Sequence, residues 1–398
     1  MAKGSKPSSP GATGGSKDHF WTPRFWYGMG VRGYSRLMRD NRFDVEPHRW
    51  FMAVLVGGVS AINSGLWAAQ EMFFGRKIRR TSIDQQPIFI IGHWRSGTTL
   101  LHELLVLDRR HTFPSNYCCF APNHFVLTDW LFPKLLWFLM PSRRPMDNME
   151  LGWRRPQEDE FALANMGVPS PYTTIAFPNR PPQNNDYFNL ESIPPEALAR
   201  WKERFTWFLK CLTFKKPGRV VLKSPPHTCR IKHLLDVFPD ARFVHIVRDP
   251  YVLSSSTRHL WRRLYEGHGF QKPKCNGLDE YVYETFNLMY ETFEAQRGLI
   301  PPGRLSEVRY EDLVADPIGQ MRRIYDELEL GGFDDARPAM EKHMAQAADY
   351  KTNRYTLPDE TREQITRRWG RFIERFGYGN GQQAAGSGQQ AAGSCQES

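Results

Sequence analysis

Several features that would have narrowed the reading are missing from this 398-residue chain. Its six cysteines, Cys118, Cys119, Cys211, Cys229, Cys275 and Cys395, show neither metal-site spacing nor the pattern of a secreted disulfide scaffold. Free thiols in a reducing compartment are the expectation. No block of like charge resembles a nucleic-acid-binding tail. The 53 basic and 43 acidic residues nevertheless leave a net charge of +10, which favours an anionic ligand or an anionic membrane surface. Residues 1–19, rich in Gly, Ser, Pro and Lys, lack the apolar stretch of a signal peptide. Residues 379–398 lack anything to bury, because Gly-Gln-Gln-Ala-Ala-Gly-Ser runs twice in tandem at 381–387 and 388–394. Both ends are expected to be disordered and without chemistry. That leaves a helical segment at 20–84 and a core domain at 85–378.

A lysine is missing too. Pro87 to Leu105 begins with Ile88–Ile91, a wholly apolar run that suits a strand buried on both faces. Gly92 to Thr99 are small and polar, and Leu100, Leu101, Leu104 and Leu105 then fall at helical spacing. A strand, a tight loop and a helix aim backbone N–H groups and a helix dipole at one spot, which suits a phosphate-like anion. Gly92-x-x-x-x-Gly97-Thr98-Thr99 has the spacing of an ATP-binding loop, but Thr98 stands where the lysine belongs and Arg95 supplies the cation. A guanidinium fork and two hydroxyls fit a less charged terminal group than ATP offers.

Further strands are expected at Arg219–Leu222, Arg242–Val247 and Leu305–Val308. Helices are expected at 194–214, 231–238, 278–298, 318–328 and 360–376. Asp249 reads as a helix N-cap and Pro250 as the first helical residue. Strands alternating with helices give an α/β fold with a parallel sheet, whose ligands gather at the carboxyl ends of the strands. Gly92–Thr99, Lys223 and Arg248 all follow strands. The proline-rich stretch 110–195, with Arg143-Arg-Pro-Met-Asp147 and Glu158-Asp-Glu160, is expected to cover the site rather than build sheet.

Phe51 to Gln70 runs without a charge, long enough to span a bilayer but diluted by Gly57, Gly58, Ser60, Asn63, Ser64, Gly65 and Gln70. Its apolar residues favour one face and its small and polar ones another. A helix on the membrane interface, a true span and a helix packed on the core domain are three open readings. Val126 to Met140, rich in Trp, Phe and Leu, is either a second membrane contact or ordinary core.

Taken together, these residues resemble the sulfotransferases that use 3′-phosphoadenylyl sulfate (PAPS). Trp-Arg95-Ser-Gly-Thr-Thr99 is similar to their 5′-phosphosulfate loop, in the arginine form of tyrosylprotein sulfotransferases and bacterial relatives. Arg248-Asp-Pro with Ser256 eight residues on is similar to their 3′-phosphate motif. Leu-Lys223-Ser-Pro resembles the segment of the catalytic lysine, and Arg-Tyr310-Glu-Asp-Leu the one whose tyrosine lies by the nucleotide. The two nucleotide motifs stand about 150 residues apart. The resemblance covers about 85–378. It implies a P-loop-type parallel sheet flanked by helices, PAPS held by Arg95, Ser96, Gly97, Thr98, Thr99, Arg248, Ser256 and Tyr310, no metal, and in-line transfer to an acceptor hydroxyl. It also implies that Lys223 stabilises the bridging oxygen. The spacing of the second motif makes sense by itself, since a guanidinium at a strand end and a hydroxyl two turns into the next helix can meet one phosphate.

The base is less defined. The glutamate that tyrosylprotein sulfotransferases carry about twenty residues past their arginine has no counterpart in Pro114–Cys118. The histidine that the cytosolic family carries two residues past its lysine is Pro225 here. His227 lies two further on, and its unperturbed pKa suits the work. Glu158, Asp159 and Glu160 offer a carboxylate, unless they only pair with Arg154 or Arg155; His93 and His124 are further candidates. Glu158 and His227 are the two leading ones. The basic stretch Tyr350–Tyr355 is either a cover for the 3′-phosphate or a connector. Rival readings are a P-loop kinase or NTPase, which the missing lysine opposes, and a non-catalytic membrane-attached module binding nucleotides or sulfated glycans. A lipid or glycan acceptor is favoured over a protein tyrosine, no nucleic-acid partner is expected, and the expected place is the cytoplasm, on or anchored in a membrane.

Overall fold

The computed structural model describes residues 24–139, 152–346 and 357–379. The expectations for 1–19, for the repeats at 381–394, for Arg143 to Asp147 and for Tyr350 to Tyr355 lie outside those residues.

Five strands form one parallel sheet: β1 (Ile88–Ile91), β2 (His111–Thr112), β3 (Arg219–Lys223), β4 (Arg242–Val247) and β5 (Leu305–Arg309), in the order β2-β3-β1-β4-β5. The apolar run of β1 makes it central. Ile88 and Ile90 pack on one face with Leu101, Leu104, Val244 and Met321. Phe89 and Ile91 pack on the other with Phe205, Leu222 and Phe243. Alternate residues thus serve two cores, each fully buried side chain contributing about 1.5–3 kcal/mol. The chain leaves β1 for one edge of the sheet and later crosses to the other, so the crevice at the carboxyl ends of β1, β3 and β4 is where such a sheet receives ligands. The α/β reading holds. The edge strand β2 falls inside the stretch read as irregular; two residues are too few to show a period. The helix Phe333–Gln346, with Pro338 inside it, was not foreseen either. Asp249 does cap the helix Pro250–His268, its carboxylate accepting from the Tyr251 N–H at 2.8 Å.

Two helices precede the sheet, α1 (Val31–Asp40) and α2 (Trp50–Arg80), and α3 (Thr98–Leu105) follows β1. The 31-residue α2 is packed on the domain through its small and polar face. Asn63 Nδ2 donates to the Tyr27 and Met29 carbonyls at 2.6 and 3.0 Å. Gln70 Nε2 donates to the Asn123 carbonyl at 2.9 Å and Gln70 Oε1 accepts from the Leu127 N–H at 3.2 Å. Phe51, Val54, Leu55, Ile62, Met72 and Phe73 point outward and are exposed. The stretch after Val126 is divided: Val126, Phe132 and Leu136 pack against the core, whereas Trp130, Leu135, Trp137 and Phe138 are exposed.

Candidate active site

The loop between β1 and α3 is a forced geometry. Gly92 and Gly97 have φ of +142° and +103°, and a side chain at either would collide, at Gly92 with the Ile246 carbonyl and at Gly97 with the Tyr310 ring. Arg95 takes φ +69°, a region that costs an L-residue about 1–2 kcal/mol. Ser96 holds the turn, its Oγ donating to the His93 carbonyl at 2.7 Å. Arg248 Nη1 donates to the Arg95 carbonyl at 3.0 Å, and Arg95 Nε donates to Ser256 Oγ at 2.8 Å. The second motif thus clamps the strained residue of the first. The Arg248 guanidinium lies over the Tyr310 ring at 4.1 Å, and Glu311 Oε1 accepts from the Asp249 N–H at 3.0 Å, joining the ends of β4 and β5. No side chain caps α3 at Gly97, and the first bond inside the helix is from the Leu101 N–H to the Gly97 carbonyl at 3.2 Å. The amides of Thr98, Thr99 and Leu100 precede that first bond, where a helix presents N–H groups to an anion. Two guanidinium groups and this helix end fit an elongated ligand with anionic groups at both ends. Arg95, Ser96, Gly97, Thr98, Thr99, Arg248, Ser256 and Tyr310 all meet here.

The opposite wall is made of carboxylates. Lys223, at the end of β3, donates from Nζ to Glu158 Oε1 at 2.7 Å. The other oxygen of Glu158 accepts a short hydrogen bond from the Tyr172 hydroxyl, which in turn accepts from Trp94 Nε1 at 2.9 Å. Burial, followed by the adjacent Glu158 carboxylate, pushes the Tyr172 hydroxyl well above its ordinary pKa, so it stays a donor. Asp159 accepts from Ser224 Oγ at 2.8 Å and from His227 Nε2 at 2.7 Å. Burial pulls the Asp159 carboxyl upward, but the His227 charge and these hydrogen bonds outweigh it and hold it below the usual carboxylate range. Glu160 accepts from Arg230 Nη1 at 2.5 Å and from Ser170 Oγ at 2.6 Å.

Lys223, His227 and Arg230 therefore answer Glu158, Asp159 and Glu160 one by one. The expected alternative, pairing with Arg154 or Arg155, is not what forms; Arg155 reaches Glu103 at 4.0 Å. Glu158 keeps 14 % of its side chain exposed, whereas His227 and Asp159 keep none. His93 and His124 are buried, His124 between Thr128 at 3.0 Å and Asn63 at 3.1 Å. Trp94 sat inside the recognised loop without a role, and nothing in the sequence marked Tyr172, 78 positions away. Among the described residues no group of three or more His, Cys, Asp or Glu side chains is placed to hold a metal.

The model of the sulfotransferase family matches residues 87–335, a span holding all these groups. The chain belongs to the sulfotransferase family. It is 49 % identical over 360 residues to the omega-hydroxy-beta-dihydromenaquinone-9 sulfotransferase Stf3 of Mycobacterium bovis and, equally, to that of Mycobacterium tuberculosis, covering 90 % of this chain and 92 % of each relative. In fold it is similar to the crystal structure of sulfotransferase STF9 from Mycobacterium avium, with a TM-score of 0.57 at 20 % identity over 88 % of this chain and 97 % of that one. Sulfotransferase STF1 from Mycobacterium tuberculosis is a second such structure, at 0.54 and 20 % over 86 % and 87 %. This sulfotransferase is thus an enzyme that moves a sulfuryl group from PAPS to an acceptor hydroxyl.

Proposed function

We propose that the acceptor is a hydroxylated isoprenoid lipid, of the quinone type named for the two half-identical relatives, and that transfer takes place at the cytoplasmic surface of a membrane. The observation that carries the chemistry is the Lys223–Glu158 pair, at 2.7 Å, held at the strand ends alongside the arginine loop. When bound, PAPS supplies a sulfuryl group activated on a phosphate leaving group. Arg95 and the first amides of α3 hold the 5′ end, while Arg248 and Ser256 hold the 3′-phosphate and Tyr310 lies against the nucleotide. Lys223 offsets the charge that builds on the bridging oxygen.

Glu158 is the base we infer. One oxygen accepts from Lys223 and the other from Tyr172, and a carboxylate has lone pairs left for an acceptor hydroxyl. The hydroxyl oxygen bonds to sulfur, the sulfur–phosphate oxygen bond breaks, and the hydroxyl proton passes to Glu158. His227, with no exposed atom, serves as a positioning residue that fixes Asp159 and so the turn presenting Glu158. Tyr172 and Trp94 orient the same carboxylate from the other side.

The test is transfer from labelled PAPS, in detergent, to an isoprenoid quinone kept in its oxidised form, with and without a terminal hydroxyl. A sulfate ester should form only on the hydroxylated lipid. Glu158→Gln should lower turnover by roughly 100-fold or more. Equal labelling of both lipids would remove the acceptor assignment, and full turnover by Glu158→Gln would remove the base.

A further inference from the structure

The outer face of α2 has a composition and a direction that the transfer chemistry does not use. Its exposed residues recur at helical spacing, Phe51, Leu55, Gly58, Ile62, Gly65 and Met72, and the same stripe then continues into Arg76 and Arg80, also exposed. The inner face cannot turn outward without breaking the bonds of Asn63 and Gln70 to the domain. A second exposed apolar stretch, Trp130–Phe138, begins three residues after Leu127, whose N–H is the one Gln70 holds. It carries Trp130 at 69 % and Trp137 at 72 % exposure, with Lys134 exposed between them. Large apolar residues, tryptophans and flanking cations are the makings of an interfacial surface.

We propose that α2 and the Trp130–Phe138 stretch together dock this enzyme onto an anionic phospholipid leaflet, with α2 lying along the surface rather than crossing it. Arg76, Arg80 and Lys134 favour this occupant over a second copy of the chain, because a self-complementary interface brings like charges together while lipid phosphates neutralise them. The docking rests on the lipid-acceptor reading. A cavity of about 510 Å³ is lined by Pro133, Lys134, Trp137, Trp153, Arg154 and Arg155. Trp137 belongs both to the docking stretch and to this cavity.

The experiment is co-sedimentation of the full chain with vesicles of phosphatidylcholine alone, and with roughly one third phosphatidylglycerol. The protein should pellet with the anionic vesicles and be released at high salt. The triple variant Phe51→Ser/Val54→Ser/Ile62→Ser should bind them at least tenfold less, while calorimetric affinity for adenosine 3′,5′-bisphosphate stays unchanged and vouches for its fold. No pelleting with either vesicle overturns the docking, and so does equal pelleting with both. Undiminished binding by the triple variant overturns this face. A wild-type dimer that the same substitutions dissolve, without vesicle binding, assigns the face to a second copy instead. These vesicles hold neither donor nor acceptor, so a negative result leaves the acceptor and base assignments intact, and failed transfer in detergent leaves the docking intact.

Discussion

On one side of the site, Arg95, Arg248 and Tyr310 leave the ends of β1, β4 and β5 and meet through backbone geometry, with Arg248 held by a carbonyl and an aromatic ring. On the other, Glu158, Asp159 and Glu160 come from a stretch nearly without sheet, and each is matched to one partner between the end of β3 and Arg230. The first side gathers like charges around a place where an anion belongs. The second neutralises every charge it buries and leaves one carboxylate partly open. Under the proposed mechanism such a contrast separates binding from proton transfer: the cationic side needs its ligand to be complete, while the acidic wall is complete already and contributes position.

Substitutions that act on one side only can break this contrast. The largest effect on stability is expected on the acidic wall. Arg230→Met strands the buried Glu160 carboxylate and should lower unfolding stability by about 3–5 kcal/mol in urea. The double variant Arg230→Met/Glu160→Leu should recover most of that, because the loss lies in the unpaired charge. An unchanged midpoint in the single variant would show that the wall is not held as described. A second effect on stability should come from acid. Burial lowers the imidazole pKa of His93, in the arginine loop, and of His124, beneath α2, from 6.5 to about 4. The unfolded chain takes up these protons first as the pH falls. Stability should therefore be full above 6.5 and decline steadily toward pH 4. A melting temperature flat across that window would contradict the burial of both rings.

The two sides also differed in how far they could be read from sequence. β4 was read to the residue, because an apolar run ends in Arg-Asp-Pro, where the strand stops and a capped helix starts. The arginine loop was legible because its requirements lie within eight consecutive residues. The acidic wall was not, because its pairs lie 65, 68 and 70 positions apart. Arg154 and Arg155 were nearer in sequence to the acidic triplet, but an exposed local pair contributes little. Burial instead selected Lys223, His227 and Arg230, whose spacing of four and three could have suggested one turning segment facing three carboxylates. His227 illustrates the limit of residue type as a guide, since a histidine after the lysine suits a base, while its enclosure against Asp159 is set by residues far away in sequence. In α2 the two faces were legible, but not which of them the domain would take, because that depends on hydrogen bonds from Asn63 and Gln70 to distant carbonyls.

Calorimetric titration of adenosine 3′,5′-bisphosphate into the wild type, Arg248→Ala and Glu158→Gln tests the division of labour most directly. The account predicts binding by the wild type, affinity weaker by roughly 10- to 100-fold in Arg248→Ala, from the loss of a charge-assisted contact, and an unchanged affinity in Glu158→Gln. Equal losses in both variants, or no heat from the folded wild type, would contradict it.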